Sequence, residues 1–432
     1  MKTIRTDDAA FENVFREIMK RGNVFDERVL TVVKSIVDDV AVRKDQALFE
    51  YTEKFDGCVL DRETVVVSAE EMEQALSRVK SDDIAVLRAM AERIERFHRN
   101  QEMRDWFVSD EDGVELGQRI LPLERVGIYA PGGLACYPST VIMAAVPAGI
   151  AGVQHIVLVT PSRNGQLNPL VVVAAKLGGV TQIFKIGGAQ AIAALAYGTE
   201  SIPMVDKIVG PGNAYVTAAK KMVYGQVAID MIAGPSEIVV IADGSASAPH
   251  VAADLLSQAE HDEMASAVLL TWDEGLAEAV RTEVTSQLAS LSRKSIAVRS
   301  LETFGAIVIT RDMDEAIETA NRFAPEHLEL MVENPRDMLK RIRHAGAVFL
   351  GHHTPEVLGD YIAGPNHILP TGGTARFSSP LGVYDFVKRT SVLSFSLKSL
   401  EKYGRQAMQL AEMEGLDAHG RSVAVRLGRK KP

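Results

Sequence analysis

Glu326 and His327 stand side by side in the run Ala324-Pro325-Glu326-His327-Leu328. A carboxylate next to an imidazole is a simple acid–base pair that works near neutral pH. Proline suits a first helical turn, so the run reads as a helix start. The field at such an end favours the carboxylate and opposes a protonated imidazole, leaving His327 free to accept a proton. An exposed helix start with no chemistry accounts for the same residues equally well.

Histidine is also the usual metal ligand, and the chain has ten. His98, His155 and His250 sit in polar surroundings that need no special role. His344, His352 and His353 fall around a strand; adjacent strand side chains point to opposite faces, so His352 and His353 do not easily share an ion. His261 follows Gln258 by three residues, which puts an amide oxygen and an imidazole on one helix face. An amide is an uncommon ligand, so the spacing alone favours an ordinary helix face. His367 ends the glycine- and proline-rich loop 359–367, the kind of segment that positions side chains rather than filling a core. His419 lies in 413–419, near the C-terminus.

These residues need elements to hold them. Residues 1 to about 120 read as mostly helical scaffold, with apolar residues such as Ile84, Leu87, Ala91 and Ile94 at helical spacing. From Arg125 the texture changes. Short apolar strands at 126–129, 156–160, 183–186, 207–209 and 238–242 alternate with glycine turns and helices, the pattern of a parallel sheet covered on both faces. Gly187-Gly188 and Gly210-Pro211-Gly212 each end a strand and open a helix, where free backbone N–H groups can receive an anion. Ordinary tight turns are the commoner meaning of such glycines. Further strands are expected at 267–271, 306–310 and 346–350, with a helix over 249–259. After 381 comes a helical tail over about 400–413, too small to fold alone, for which a partner subunit is one candidate support.

Composition excludes several classes. The 432 residues carry 47% hydrophobic and 24% charged side chains and a net charge of −10, an ordinary globular balance of two or three domains with no basic surface for nucleic acid. A basic stretch at 421–431 reads as a solvated tail. The N-terminus has no signal-peptide core, and the longest apolar run, 141–153, falls short of the ~20 residues that span a bilayer. The two cysteines, Cys58 and Cys136, form no CxxC pair, which points to a reducing compartment and the cytoplasm and away from a thiolate metal site. Cys136, within 132–138, has no histidine near it in sequence and reads as packing. No G-x-G-x-x-G, P-loop, H-E-x-x-H or G-x-S-x-G occurs.

Several long segments, in order, carry a resemblance: VGIYAPGG, KIVGPGNAYVTAAK, AGPSEI, LLSQAEHD, FAPEHLEL, LGDYIAGPNHILPTGG and MEGLDAH. Over nearly its whole length the chain resembles the histidinol dehydrogenases. The resemblance implies an α/β fold of two Rossmann-like parallel-sheet domains without the usual dinucleotide fingerprint, plus helical N- and C-terminal extensions. Residues 1–125 and 237–380 would form the larger domain, 126–236 the NAD-binding domain, and 381–432 a tail exchanged in a homodimer. It implies one zinc ion per subunit held by Gln258, His261, Asp360 and His419, a thiolate-free set that orients the substrate more than it ionises the alcohol. Glu326 and His327 match the acid–base pair. Ser236, His367 and Glu414 match substrate contacts, with His327 and the metal ligands bordering the same substrate. Tyr129, Gln190 and Asn213 match NAD contacts.

The reaction so implied is a four-electron oxidation of L-histidinol to L-histidine in two NAD-linked steps, the last step of histidine biosynthesis. His327 would take the alcohol proton and Glu326 would activate water against the bound aldehyde, in a closed site completed by Glu414 and His419 of a neighbouring subunit. No membrane or nucleic acid takes part. Three rivals share some features: a sister enzyme for another small alcohol, a zinc hydrolase without nucleotide, and a non-catalytic binder. Glu414 and His367 speak against the first, the glycine-turn units against the second, and the Glu-His pair against the third.

Overall fold

The structure is a computed structural model that describes residues 1–21, 26–132 and 137–428. Gly133 of the first glycine turn, Cys136 and Lys431 lie outside the described residues. The chain forms two compact units. The first comprises residues 1–101 and 124–386, the second residues 102–123 and 387–432.

The first unit is built on two parallel sheets. The larger has six strands in the order Lys2–Arg5, Ala306–Ile309, Ser266–Thr271, Glu237–Ala242, His327–Met331 and Ala347–Leu350. Every neighbouring pair is parallel. The Glu237–Ala242, Ser266–Thr271 and His327–Met331 strands are buried at every position. Alternation then sends Ile238, Val240, Leu269 and Ile307 into one helix-covered core, and Val239, Ile241, Val268, Leu270 and Val308 into another on the opposite face.

The smaller sheet has five parallel strands: Gln182–Phe184, His155–Val159, Arg125–Tyr129, Lys207–Val209 and Ala228–Ile229. From Arg125–Tyr129 the chain first builds outward through His155–Val159, then returns to the other side with Lys207–Val209. That reversal is a topological switch point, and open parallel sheets bind ligands beyond the carboxyl ends of their strands there. Gly210 sits at this place with φ of 108°, and a Cβ on it would run into the Tyr129 carbonyl, so only glycine fits.

A buried ion pair fixes the turn after Lys207–Val209. Asp230 accepts the Gly210 N–H at 2.7 Å, while the Lys220 ammonium contacts Asp230 and donates to the Gly210 carbonyl at 2.9 Å. Both side chains are buried, at 3% and 1% exposure, so removing one partner strands the other charge. Lys220→Met is therefore expected to cost about 3–5 kcal/mol of stability in urea unfolding. A loss below about 1 kcal/mol, the scale of a surface pair, would show that water reaches Asp230.

The helical reading of residues 1–120 holds for five helices from Phe11–Lys20 to Ser81–His98, but three strands interrupt it. Lys2–Arg5 joins the six-stranded sheet. Trp106–Ser109 and Val114–Pro122 belong to the second unit, where Val114–Pro122 pairs antiparallel with both Trp106–Ser109 and the C-terminal Val387–Phe395. The first strand of the tail thus pairs with residues 114–122 of its own chain. Two helices, Leu397–Met413 and Asp417–Arg426, follow and pack on each other, Gly404 lying against Val423. No helix among the described residues is long and apolar enough to cross a membrane.

Candidate active site

His327 opens a strand, and the expected helix start is not formed. The preceding helix, Met313–Phe323, ends at Ala324 in the left-handed region with φ of 47°. The chain then enters His327–Met331, whose apolar run is claimed by the parallel sheet. The helix-field argument for a neutral imidazole consequently falls away, and the environment of His327 must be read from its neighbours.

Those neighbours are acidic. His327 is buried, with Nδ1 3.2 Å from the Glu237 carbonyl and 3.1 Å from Gln258 Oε1. A carbonyl oxygen can only accept, so the proton belongs on Nδ1 and Nε2 faces the other way. Nε2 has no hydrogen-bond partner and lies 3.7 Å from Glu356 Oε1 and 3.6 Å from Asp360 Oδ1. Burial alone would lower the imidazole's pKa, but Glu326, Asp360 and Glu356 outweigh it and raise it to about 10. Glu326, buried beside it, is pushed up to about 7 by desolvation, with His327 acting in the opposite direction.

Glu237 fixes the pair in place. Its N–H donates to Glu326 Oε2 at 2.9 Å, and its own Oε1 accepts the Glu326 N–H at 3.2 Å and the Gly372 N–H at 2.9 Å. Arg21 neutralises Glu237 from behind in a contact between nearly unexposed side chains, and also donates to the carbonyls of Ser236 and Met264. Glu237 and His327 begin adjacent strands, with Glu326 just before the second, so the site lies at the amino ends of the six-stranded sheet.

The metal candidate is assembled from two short elements. Gln258 closes the Ala248–Ala259 helix, and His261 follows just beyond its end. Asp360 lies on Glu356–Tyr361, one turn after Glu356. Ligand atoms of His261, Glu356 and Asp360 all lie within 4.8 Å of one another. Burial would raise Asp360, but contact with His327 holds it down to about 2; Glu356 is pushed up to about 8, first by desolvation. Gln258 is fully buried with Nε2 unpartnered, and Glu356 Oε1 is likewise unpartnered. One imidazole, carboxylates that include the buried, unpartnered Glu356 Oε1, and an amide oxygen fit a borderline divalent ion such as zinc.

Of the residues singled out in the sequence, Ser236, Gln258, His261, Glu326, His327, Asp360 and His367 line one cavity of about 540 Å³. His367 is set there by Nδ1 against the Asp360 carbonyl at 2.9 Å and Nε2 against Thr140 Oγ1 at 3.3 Å. Tyr129 and Gln190 line a second cavity of about 510 Å³; Asn213 and Pro131 border both. Asn213 caps its helix, its Oδ1 accepting the N–H groups of Tyr215 and Val216, and the Tyr129 hydroxyl accepts the Gly188 N–H at 3.3 Å. Glu414 and His419 belong to the second unit, Glu414 capping the end of Leu397–Met413 and His419 in the first turn of Asp417–Arg426, and both are exposed. Sequence reasoning missed Glu356 and Glu237. The four-residue spacing of Glu356 and Asp360 was the signal for one; Glu237 had none beyond its place after Ser236.

Buried carboxylates around an imidazole, a candidate cation cluster and a second cavity at a parallel-sheet switch point define a two-cavity α/β enzyme scaffold. The histidinol dehydrogenase family model matches residues 19–427. Among similar proteins, the histidinol dehydrogenase of Syntrophotalea carbinolica is 56% identical over 427 residues, covering 99% of each chain. That of Geobacter sulfurreducens is 56% identical over 99% of this chain and 100% of its own. The crystal structure of histidinol dehydrogenase from Elizabethkingia anophelis superposes with a TM-score of 0.93 at 40% identity, over 99% of this chain and 98% of that one. The chain belongs to the histidinol dehydrogenase family, a family of oxidoreductases.

Proposed function

We propose that this protein oxidises L-histidinol to L-histidine with NAD and one bound zinc ion. The observation that carries the reading is the placement of Glu326 and His327 beside the His261–Glu356–Asp360 cluster in one cavity that meets a second cavity at Asn213. His261, Asp360 and Gln258, with His419 of a second subunit, would hold the ion. Bound there, zinc supplies a fixed anchor for the substrate's nitrogens and a positive field that lowers the proton affinity of His327. NAD, held by Tyr129, Gln190 and Asn213, supplies the hydride acceptor for each oxidation.

The chain's own residues do the proton work. His327, oriented by the Glu237 carbonyl and Gln258, turns Nε2 toward the substrate and takes the hydroxyl proton as hydride leaves the carbinol carbon. Glu326, anchored through Oε2, then takes a proton from the water that attacks the aldehyde carbon, and loss of a second hydride leaves the carboxylate. Ser236 and His367 border the substrate, and Glu414 suits a cationic amine. The second unit exposes Trp106, Phe107, Val108, Leu393, Phe395 and Leu410 by 47–67%, apolar side chains whose burial would suit the proposed homodimer. Two NADH formed per histidinol consumed, with little turnover of simple diols, is the expected assay result. No NADH from histidinol with zinc present would end the reading.

A further inference from the structure

The second cavity is walled partly by the N-terminal helices that read as scaffold. Val32, Ile36, Phe55 and Asp56 face Tyr129, Gly188 and Gln190 across it. Two polar groups there lack partners. Gln190 is only 1% exposed and its Nε2 has none; Asp56 Oδ2 is shielded from solvent and has none either. Such atoms are costly to leave unpaired. Asp56 is also the last residue of the Asp45–Asp56 helix, before Gly57 in the left-handed region. A carboxylate at a helix C-terminus opposes the helix dipole, so its position is unfavourable to the fold. Desolvation raises its pKa as well. Among the described residues no group pairs with its Oδ2.

The two cavities meet at Pro131 and Asn213, so the reactive end of a dinucleotide belongs at that junction, beside the acid–base pair. The Gly188–Tyr197 helix start lies next, where backbone N–H groups suit a diphosphate. The same cavity sets the half-exposed Val32 and Phe55 beside the Asp56 carboxylate, an apolar face next to a hydroxyl acceptor. We infer that Asp56 is the specificity residue of the nucleotide site: it accepts a hydrogen bond from the ribose of the adenosine half and excludes a 2′-phosphate. The inference rests on the NAD reading above. A 2′-phosphate removes the hydroxyl donor and sets like charges together.

The test is a binding titration of NADH and NADPH, followed by their fluorescence, with no alcohol substrate present. Wild-type protein is expected to bind NADPH about 10–100-fold more weakly than NADH, the worth of one charged hydrogen bond. Asp56→Asn should close at least about tenfold of that gap while its thermal midpoint stays level or rises, as expected for a charge opposed to the helix dipole. 2′-Deoxy-NADH should bind more weakly than NADH to wild type and equally to Asp56→Asn. An unchanged NADH/NADPH ratio in Asp56→Asn overturns the assignment of Asp56 alone. Failure of wild-type protein to bind NADH at all overturns the NAD reading instead.

Discussion

His327→Asn should slow histidinol oxidation by about 10²–10⁴-fold, the worth of a positioned base, and slow oxidation of supplied histidinal far less. Glu326→Gln should do the reverse. The division follows from the atoms. His327 Nε2 is the unpartnered nitrogen facing the cavity, whereas Glu326 is held by the Glu237 N–H. The pH dependence separates them further. Burial raises the Glu326 carboxyl to about 7. A base works only when ionised, so the histidinal step should climb as pH rises through about 7 in wild type and flatten in Glu326→Gln. Stopped-flow measurement of the two half-reactions against pH checks both statements. Equal losses in both steps for both variants would mean that the pair acts as one unit.

The parallel sheets were legible because their strands are continuous apolar runs. Ile238–Ala242 and Ala267–Thr271 could hardly be anything but buried strands, and both are buried throughout. The antiparallel sheet was not legible. Trp106–Ser109 is exposed at every position, and Val387–Phe395 has only two half-buried positions, so neither shows the alternation that marks a half-buried strand. Pairing between residues 114–122 and 387–395 is a tertiary event with no local trace.

At the site, residue types were readable and environments were not. Glu326 and His327 stood out as a pair, but a proline before them outweighed the apolar run after them and gave a helix where a strand forms. That one misreading inverted the electrostatics. A helix start would depress protonation of His327; the buried carboxylates around the strand raise it. Glu356 drew no notice in the sequence, and only the fold sets its carboxylate against Asp360. The far wall of the second cavity comes from helices more than 70 residues before Tyr129, and periodicity carries no information about what they face.

Metal removal should have the other large effect, and it should be visible in stability as well as turnover. Chelation, or Asp360→Ala, is expected to lower histidinol oxidation by roughly 10³-fold or more, the several kcal/mol that a templating ion supplies. Zinc should restore the chelated wild type but not Asp360→Ala. Without a cation the site holds protons that the unfolded chain gives up. Glu326 and Glu356 are raised to about 7 and 8, and His327 to about 10, each above its unfolded value. A raised pKa means that the folded state binds more protons, so this stabilisation is present at low pH and is lost as pH rises. Asp360, held down to about 2, runs the other way, but only below its unfolded value of 3.8. The metal-free protein should accordingly lose stability steadily between the unfolded carboxylate range and about pH 10. Zinc binds ionised carboxylates and neutral imidazole, so its stabilisation should grow over the same interval. Thermal midpoints against pH, with and without zinc, measure this directly. Parallel curves would show that the ion binds elsewhere.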